Sequence, residues 1–391
     1  MIDELSLAAA RVPFAVPFAH AAHRRMTSES VLLTLRAGQF TGWGEGAPRS
    51  YVTGETIDSV GAAVRDFDPA PVAAAMAAGS FGGSVRALAA LRLGDVLPGR
   101  NRREPAAAAA VETAALDALC RAHGRSVTDA LQALDLSGDA VARESFPVTV
   151  TADLTRPITE LLRSAGSARA ARHLKLKAAQ PDRLAAEVVE LRRALDPQVT
   201  LSVDANGSWT RSEAMRHGPD LVQAGVDWIE EPLPARDWTG MRALVSHGVP
   251  VMLDESCTGA DDLAEALAHD ALTHVNVRIS KVGGPLAAAR LIDRIRRAGL
   301  AFQIGVQVGE IGPLWACGRA LASWAHDAVT VEAGRQDEWF PAPLTEPAFV
   351  VDRGSATAQP IPGPGHGVTP SPALHARLTP LGAWAPQRSA S

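Results

Sequence analysis

Lysine is almost missing from this chain. Of its 38 basic residues only Lys175, Lys177 and Lys281 are lysine, and the other 35 are arginine. A place that needs only a fixed positive charge is therefore filled with arginine. Cysteine is scarce too. Cys120, Cys257 and Cys317 are odd in number and lack CxxC spacing, which excludes a disulfide framework or a cysteine zinc site and fits a reducing compartment. There is no basic excess: the formal net charge is -5 and the arginines are interspersed with acids, so no electrostatic case exists for nucleic acid. No apolar run approaches the roughly 18 residues that span a membrane. The stretch LSLAAARVPFAVPFAHAA mimics a secretion signal, but Asp3 and Glu4 precede it and Arg11 interrupts it. It is expected to be a strand, in a cytoplasmic protein. None of the 11 histidines has metal-ligand spacing.

What is present is ample apolar material, 47% of 391 residues, enough for two domains or one large barrel with additions. Residues 1 to about 60 read as strands and turns, with ESVLLTLRAGQFTGWGEGAP as a hairpin. No helix directly follows the glycines of GWGEG, so tight-turn geometry accounts for them better than a nucleotide loop. From about 56 to 134 the chain turns helical and alanine-rich, and EPAAAAAVETAALDALCRAHG predicts a buried helix ending at Gly124. From 146 to 334 eight short apolar strands alternate with seven amphipathic helices, the pattern of a closed parallel (β/α) barrel. A Pro/Gly-rich tail follows residue 345.

In such barrels the chemistry sits at the C-terminal ends of the strands. Lys177, Asp204, Glu230, Asp254 and Arg278 fall there, separated by 27, 26, 24 and 24 residues, one strand–helix unit each. They should face one mouth. A single acid in such a place is usually a solvated loop charge. Three in register would repel one another unless a cation lay between them, and an all-oxygen donor set points to Mg²⁺, or Mn²⁺, with water and substrate completing the shell. Lys175 and Lys177 share a strand face and both should enter the mouth. As structural cations they could be arginine. Arginine keeps its proton, however, whereas the pKa of lysine shifts with burial and neighbouring charge. A second ammonium and a metal nearby would lower the pKa of Lys177 toward that of a general base.

The K-x-K, D-x-N, E-x-P and D-E-S series resembles the enolase superfamily, in its muconate-lactonizing-enzyme subgroup, over nearly the whole chain. The resemblance implies a modified (β/α)7β TIM-like barrel over 136–345. It also implies an α+β capping domain over 1–135, including GWGEGAPRSYVTGET, with 346–391 packing back on it. It further implies a homo-oligomer and a small carboxylic-acid substrate. A lysine or histidine base working with Mg²⁺ on an ene-diolate is the general chemistry of this superfamily and is carried over as such. Asp204, Glu230 and Asp254 would then bind Mg²⁺, with Glu231 a close competitor for Glu230. Lys177 would be the acid/base and Lys175 would tune it, while Asn206 and Glu255 would support the ligands.

The departure is at the sixth strand, where relatives that work both substrate faces carry a lysine and this chain has Arg278. Strand parity places Lys281 on the other face from Arg278, unless the backbone turns at Gly283 and Gly284. Lys281 remains a candidate second base, with a structural ion pair as its alternative. Glu310, at the end of the seventh strand, is a candidate substrate contact. So are Tyr51, His23 and Arg24, from cap loops expected to close the site. The eighth strand lacks the Asp-x-Asp of dipeptide epimerases. One mobile base favours a cycloisomerase or dehydratase-type lyase. A racemase or epimerase using Lys281 is the alternative enzyme, and a metal-stabilised binding protein without catalysis is the alternative from another class.

Overall fold

The computed structural model describes residues 2–20, 23–98, 103–136, 142–153, 170–177, 181–182, 184–333 and 336–385. An antiparallel sheet of four strands forms the cap, in the order Leu378–Trp384, Glu4–His20, His23–Ala37 and Phe40–Gly46. The apolar segment resembling a secretion signal lies in the first of these strands, as expected. The tail strand pairs with it along Leu5 to Ala10.

GWGEG does not form a tight turn. Gly42, Gly44 and Gly46 lie within the third cap strand, and their role is close packing. A Cβ on Gly44 would stand 1.9 Å from the carbonyl oxygen of Ala110 and 2.7 Å from the amide of Ala114. Gly42 and Gly46 meet Ala114 and Ala106 in the same way. Glycines at every second strand position thus oppose small residues at every fourth position of the helix Pro105–Ala122, and the two backbones touch. This explains why that helix is alanine-rich and buried from Pro105 to Cys120.

Eight parallel strands form the second unit in strict chain order: Val150–Asp153, His173–Lys177, Thr200–Asp204, Trp228–Glu230, Val251–Leu253, His274–Arg278, Ala301–Gly305 and Thr330–Val331. The first and last strands meet where the Thr149 amide donates to the Val331 carbonyl at 2.8 Å. Six of the seven connections are described, each with its helix, and the one after the sixth strand adds the single turn Ile279–Val282; the connection between the first two strands falls mostly outside the described residues. The barrel interior is filled rather than open. His173 bonds Thr149 at 3.0 Å and Ser202 at 2.9 Å and stacks on Trp228 with centroids 5.0 Å apart. Burial, and then the charge of Lys175, pushes the pKa of His173 down to about 3, so it is a neutral member of this floor.

Buried carboxylates fasten the cap to the barrel. Glu112, on the cap helix, accepts from the Leu286 amide at 2.7 Å at the start of the helix Pro285–Arg297. Glu45 accepts from the amides of Ile311 at 2.7 Å and Gly312 at 3.1 Å, at the entry to the helix Pro313–Trp324. Each satisfies amides that a helix start leaves unpaired. No helix among the described residues is long and apolar enough to cross a membrane.

The strand–helix contact sets a prediction. Gly44→Ala places a methyl group against backbone that no rotamer change can move aside. It should cost about 3 kcal/mol or more, above the usual range for core overpacking. Urea unfolding measures it, and an unchanged midpoint would show that the two backbones have room to part.

Candidate active site

The register brings the expected residues to one mouth. Lys177 pairs across the ladder with Asp204, and Asp204 with Glu230. Asp204, Glu230 and Asp254 are buried, at 0–1% exposure. Lys175 lies beneath them with its Nζ 2.7 Å from Glu230 Oε2, 2.6 Å from Glu332 Oε1 and 3.9 Å from Asp204 Oδ2. Burial works against its charge, but Glu230, Glu332 and Asp204 outweigh this and hold its pKa above the ordinary lysine value. Lys177 Nζ stands 2.5 Å from Asp204 Oδ2 and 3.3 Å from Asn206 Oδ1. Its side chain is 30% exposed, against 1% for Lys175 and 0% for Lys281. Asp204 is itself held down at about 2: burial alone would raise it, and Lys177 and Lys175 prevail.

Glu230 and Glu231 part company. Glu230 points inward, where Asn276 Nδ2 donates to its Oε1 at 2.9 Å. Glu231 is turned outward by a left-handed backbone (φ 38°) and accepts from the Asp254 amide at 2.7 Å and from Ser256. Asn206 has a left-handed backbone as well (φ 47°), its amide 3.1 Å from Asp204 Oδ1. Side chains in this backbone region are strained, and such strain clusters where geometry serves function. Glu255 lines the cavity and receives Asn206 Nδ2 at 3.5 Å. Burial, then Glu231 and Asp204, raises it to about 8.

Strand parity ends at Arg278. The next residues form a one-turn helix, Ile279–Val282, closed by Gly283 in the left-handed region, so the backbone turns before Lys281. Lys281 is thereby folded back beneath Asp254, its Nζ 2.8 Å from Asp254 Oδ1, 2.5 Å from the Asp254 carbonyl and 2.8 Å from the Asn276 carbonyl. Burial first, and Arg278 second, pushes its pKa down to about 8. Arg278 lies above it at the cavity surface, bonded to Asp254 and, at 3.3 Å, to Gln307 Oε1.

Glu310 does not line the cavity. It is buried and accepts from the Gln307 amide at 2.7 Å, with its pKa raised well above the ordinary value by burial and by Glu45. Gln307 and Val308 line the wall there instead. Tyr51 does line the cavity. His23 and Arg24 lie in the second cap strand, but their side chains fall outside the described atoms. Glu332 was not singled out from the sequence, although it stands 54 residues after Arg278, two strand–helix units on. Glu338 and Trp339, in the one-turn helix Gln336–Trp339 beyond, carry no comparable spacing.

Six carboxyl groups meet four cations at these strand ends: Asp204, Glu230, Glu231, Asp254, Glu255 and Glu332 against Lys175, Lys177, Arg278 and Lys281. Glu230 Oε2 is buried, with Lys175 Nζ as its ion-pair partner. Among the described residues the acids do not close on one point: Asp204 faces Lys177, Glu230 faces Lys175, and Asp254 faces Arg278 and Lys281. In donor type, burial and position, Asp204, Glu230 and Asp254 fit a hard cation that binds oxygen.

Residues 158–374 match the family described as enolase C-terminal domain-like. The chain belongs to the enolase superfamily. Its curated relatives in the superfamily include an N-succinylamino acid racemase from Amycolatopsis, 31% identical over 70% of this chain and 72% of that protein. A hydrophobic dipeptide epimerase from a Flavobacteria bacterium is 27% identical over 72% of this chain and 76% of its own length. The muconate lactonizing enzyme of Pseudomonas fluorescens shares the fold at a TM-score of 0.81, covering 97% of this chain and 99% of its own, with 22% identity. Enzymes of this superfamily generally use Mg²⁺.

The buried cluster predicts how Lys175 responds to substitution. Lys175→Met leaves Glu230, Glu332 and Asp204 without their shared counter-charge and should cost about 3–5 kcal/mol. Lys175→Arg should fail as well, because a planar guanidinium does not fit where a compact ammonium meets three carboxylates. Denaturant midpoints test both. Wild-type stability in Lys175→Arg would show that charge alone suffices.

Proposed function

We propose that this protein is a Mg²⁺-dependent enzyme that moves a proton on the carbon α to a carboxylate. It acts on one face of a small acid, as a cycloisomerase or dehydratase-type lyase. One observation carries the reading: of the three lysines, Lys177 alone is appreciably exposed at the cavity, 30% against 1% for Lys175 and 0% for Lys281, and Arg278 occupies the opposite side of the mouth. Asp204, Glu230 and Asp254 would hold the ion, which when bound supplies positive charge for the oxygens of the enediolate. Lys177 Nζ takes or returns the α-proton, for it is a lysine with access to the cavity. Lys175 stays an ammonium and fixes Glu230 and Asp204 from below. Arg278 keeps its proton and offers its guanidinium to developing negative charge. Asn206 and Glu255 keep the Lys177 side of the mouth in place.

A second reading, racemase or epimerase of an acylated amino acid or dipeptide, has its own support. Lys281 sits on the Arg278 side with a depressed pKa, and the curated relatives include a racemase and an epimerase. Serving the second face would require Arg278 to leave Asp254 so that Lys281 reaches the substrate.

Lys177→Arg should lose turnover and α-deuterium exchange together, by roughly 10²–10⁴-fold. Chelation should abolish activity with the circular dichroism spectrum unchanged. Substantial activity in either case would contradict the first reading. Chiral analysis of recovered substrate in D₂O separates the two reactions. One-face chemistry predicts exchange confined to one enantiomer. Rapid interconversion that rises as pH passes about 8, where Lys281 loses its proton, and that Lys281→Ala removes, would establish the racemase.

A further inference from the structure

An acid that is to hold a metal ion has to be oriented without being neutralised. Glu230 already faces two cations, with Lys175 Nζ at 2.7 Å and Arg278 Nη2 at 3.9 Å. A third would compete with the ion. The sixth strand supplies a neutral donor instead. Asn276, 0% exposed, donates from Nδ2 to Glu230 Oε1 at 2.9 Å. Its main chain serves the same group of acids. The Asn276 carbonyl accepts from Lys281 Nζ at 2.8 Å, and that ammonium stands 2.8 Å from Asp254 Oδ1. Asn276 thus touches Glu230 directly and Asp254 through Lys281.

With Nδ2 committed to Glu230, the other end of the amide, Oδ1, lies over the seventh strand. There is room for it because residue 305 has no side chain. Asn276 and Arg278 pair in register with Gln303 and Gly305. A Cβ on Gly305 would stand 2.1 Å from Asn276 Oδ1 and 2.9 Å from Asn276 Cγ, with Arg278 Cγ next at 3.0 Å. Gly305 is not left-handed, so its missing side chain is what the site uses. Asn276 Oδ1 is buried and accepts no hydrogen bond among the described residues. The amide is held by its bond to Glu230 and by the space over Gly305, and it could swing aside only by taking Nδ2 off Glu230. Partners of this kind orient a metal ligand and leave its charge available.

We infer that Asn276 is a positioning residue that orients Glu230 for the divalent ion, and that residue 305 is glycine because the Asn276 amide occupies the place of its Cβ. This rests on the Mg²⁺ reading of the site. The test titrates the full chain with Mn²⁺, followed by electron paramagnetic resonance, with circular dichroism to check the fold. Asn276→Ala and Gly305→Ala should each raise the Kd for Mn²⁺ by roughly 10–100-fold. The double variant should bind no more weakly than Asn276→Ala alone, because both changes act through one amide. Wild-type affinity in either folded single variant overturns the inference, and so does full additivity in the double variant. If a single variant does not fold, the double variant decides, since there the new methyl group meets no amide. Weakened binding by it supports the inference; wild-type affinity overturns it. Failure of the wild-type chain itself to bind Mn²⁺ would bring down the metal reading, and this inference with it.

Discussion

Three carboxylates share one buried ammonium at the centre of the barrel, and much of the site follows from that contact. Asp204, Glu230 and Glu332 crowd around Lys175 Nζ, which is 1% exposed. Charges removed from water this completely are tolerated only with close counter-charge and good geometry. Lysine provides it as a compact point charge. The cluster holds Glu230 and Asp204 from below, while their other oxygens accept from Asn276 Nδ2 and from the Asn206 amide. It also separates two lysines that look equivalent on the strand. Lys175 is locked as a cation, while Lys177, one step nearer the strand end, keeps access to the cavity. Lysine persists in this arginine-rich chain for two reasons. On the proposed function a proton moves at Lys177; at Lys175 a compact ammonium meets three carboxylates at once.

The mouth is not made by the barrel alone. The loop after Ala301–Gly305 is suspended from the cap. Arg49 Nη2 donates to the Val308 carbonyl at 2.7 Å, Arg25 Nη2 to the same oxygen at 3.0 Å, and Ser28 to the Gly309 carbonyl. Glu45 holds the start of the following helix. Gln307, in the same loop, meets Arg278, which meets Asp254. A cap residue such as Arg49, 3% exposed and far from the reacting atoms in sequence, therefore bears on the placement of the guanidinium in the site.

The parts of this arrangement legible in the sequence are those fixed by repeating geometry. A strand–helix unit of 24 to 27 residues returns the chain to the same rim, so Lys177, Asp204, Glu230, Asp254 and Arg278 announce themselves by spacing. Glu332 obeys the same spacing, two units beyond Arg278, but was not singled out, because a carboxylate whose partner is a lysine six strands earlier has no local signature. Parity failed for Lys281 because periodicity stops where the strand does, and the one-turn helix at Ile279–Val282 reverses its direction. The glycines of GWGEG were misread for a related reason. Their purpose lies in the helix Pro105–Ala122, some sixty residues away in the chain. Glu310 stands at a strand end yet is consumed by its own loop, a distinction between facing the cavity and bracing its wall that only coordinates make.

Because the chain has only three lysines, the central division of labour is open to direct observation. Metal-free protein labelled at lysine Cε with ¹³C can be titrated by NMR, the Lys177 and Lys281 signals being assigned by their loss in Lys177→Arg and Lys281→Ala and the Lys175 signal as the one that remains. Lys175 should keep its ammonium signal through about pH 11, past the ordinary lysine midpoint of about 10.4. Lys281 should move with a midpoint near 8. A Lys175 signal that titrates at or below the ordinary value would contradict the account, because the ammonium would then not be the fixed counter-charge on which the site is built.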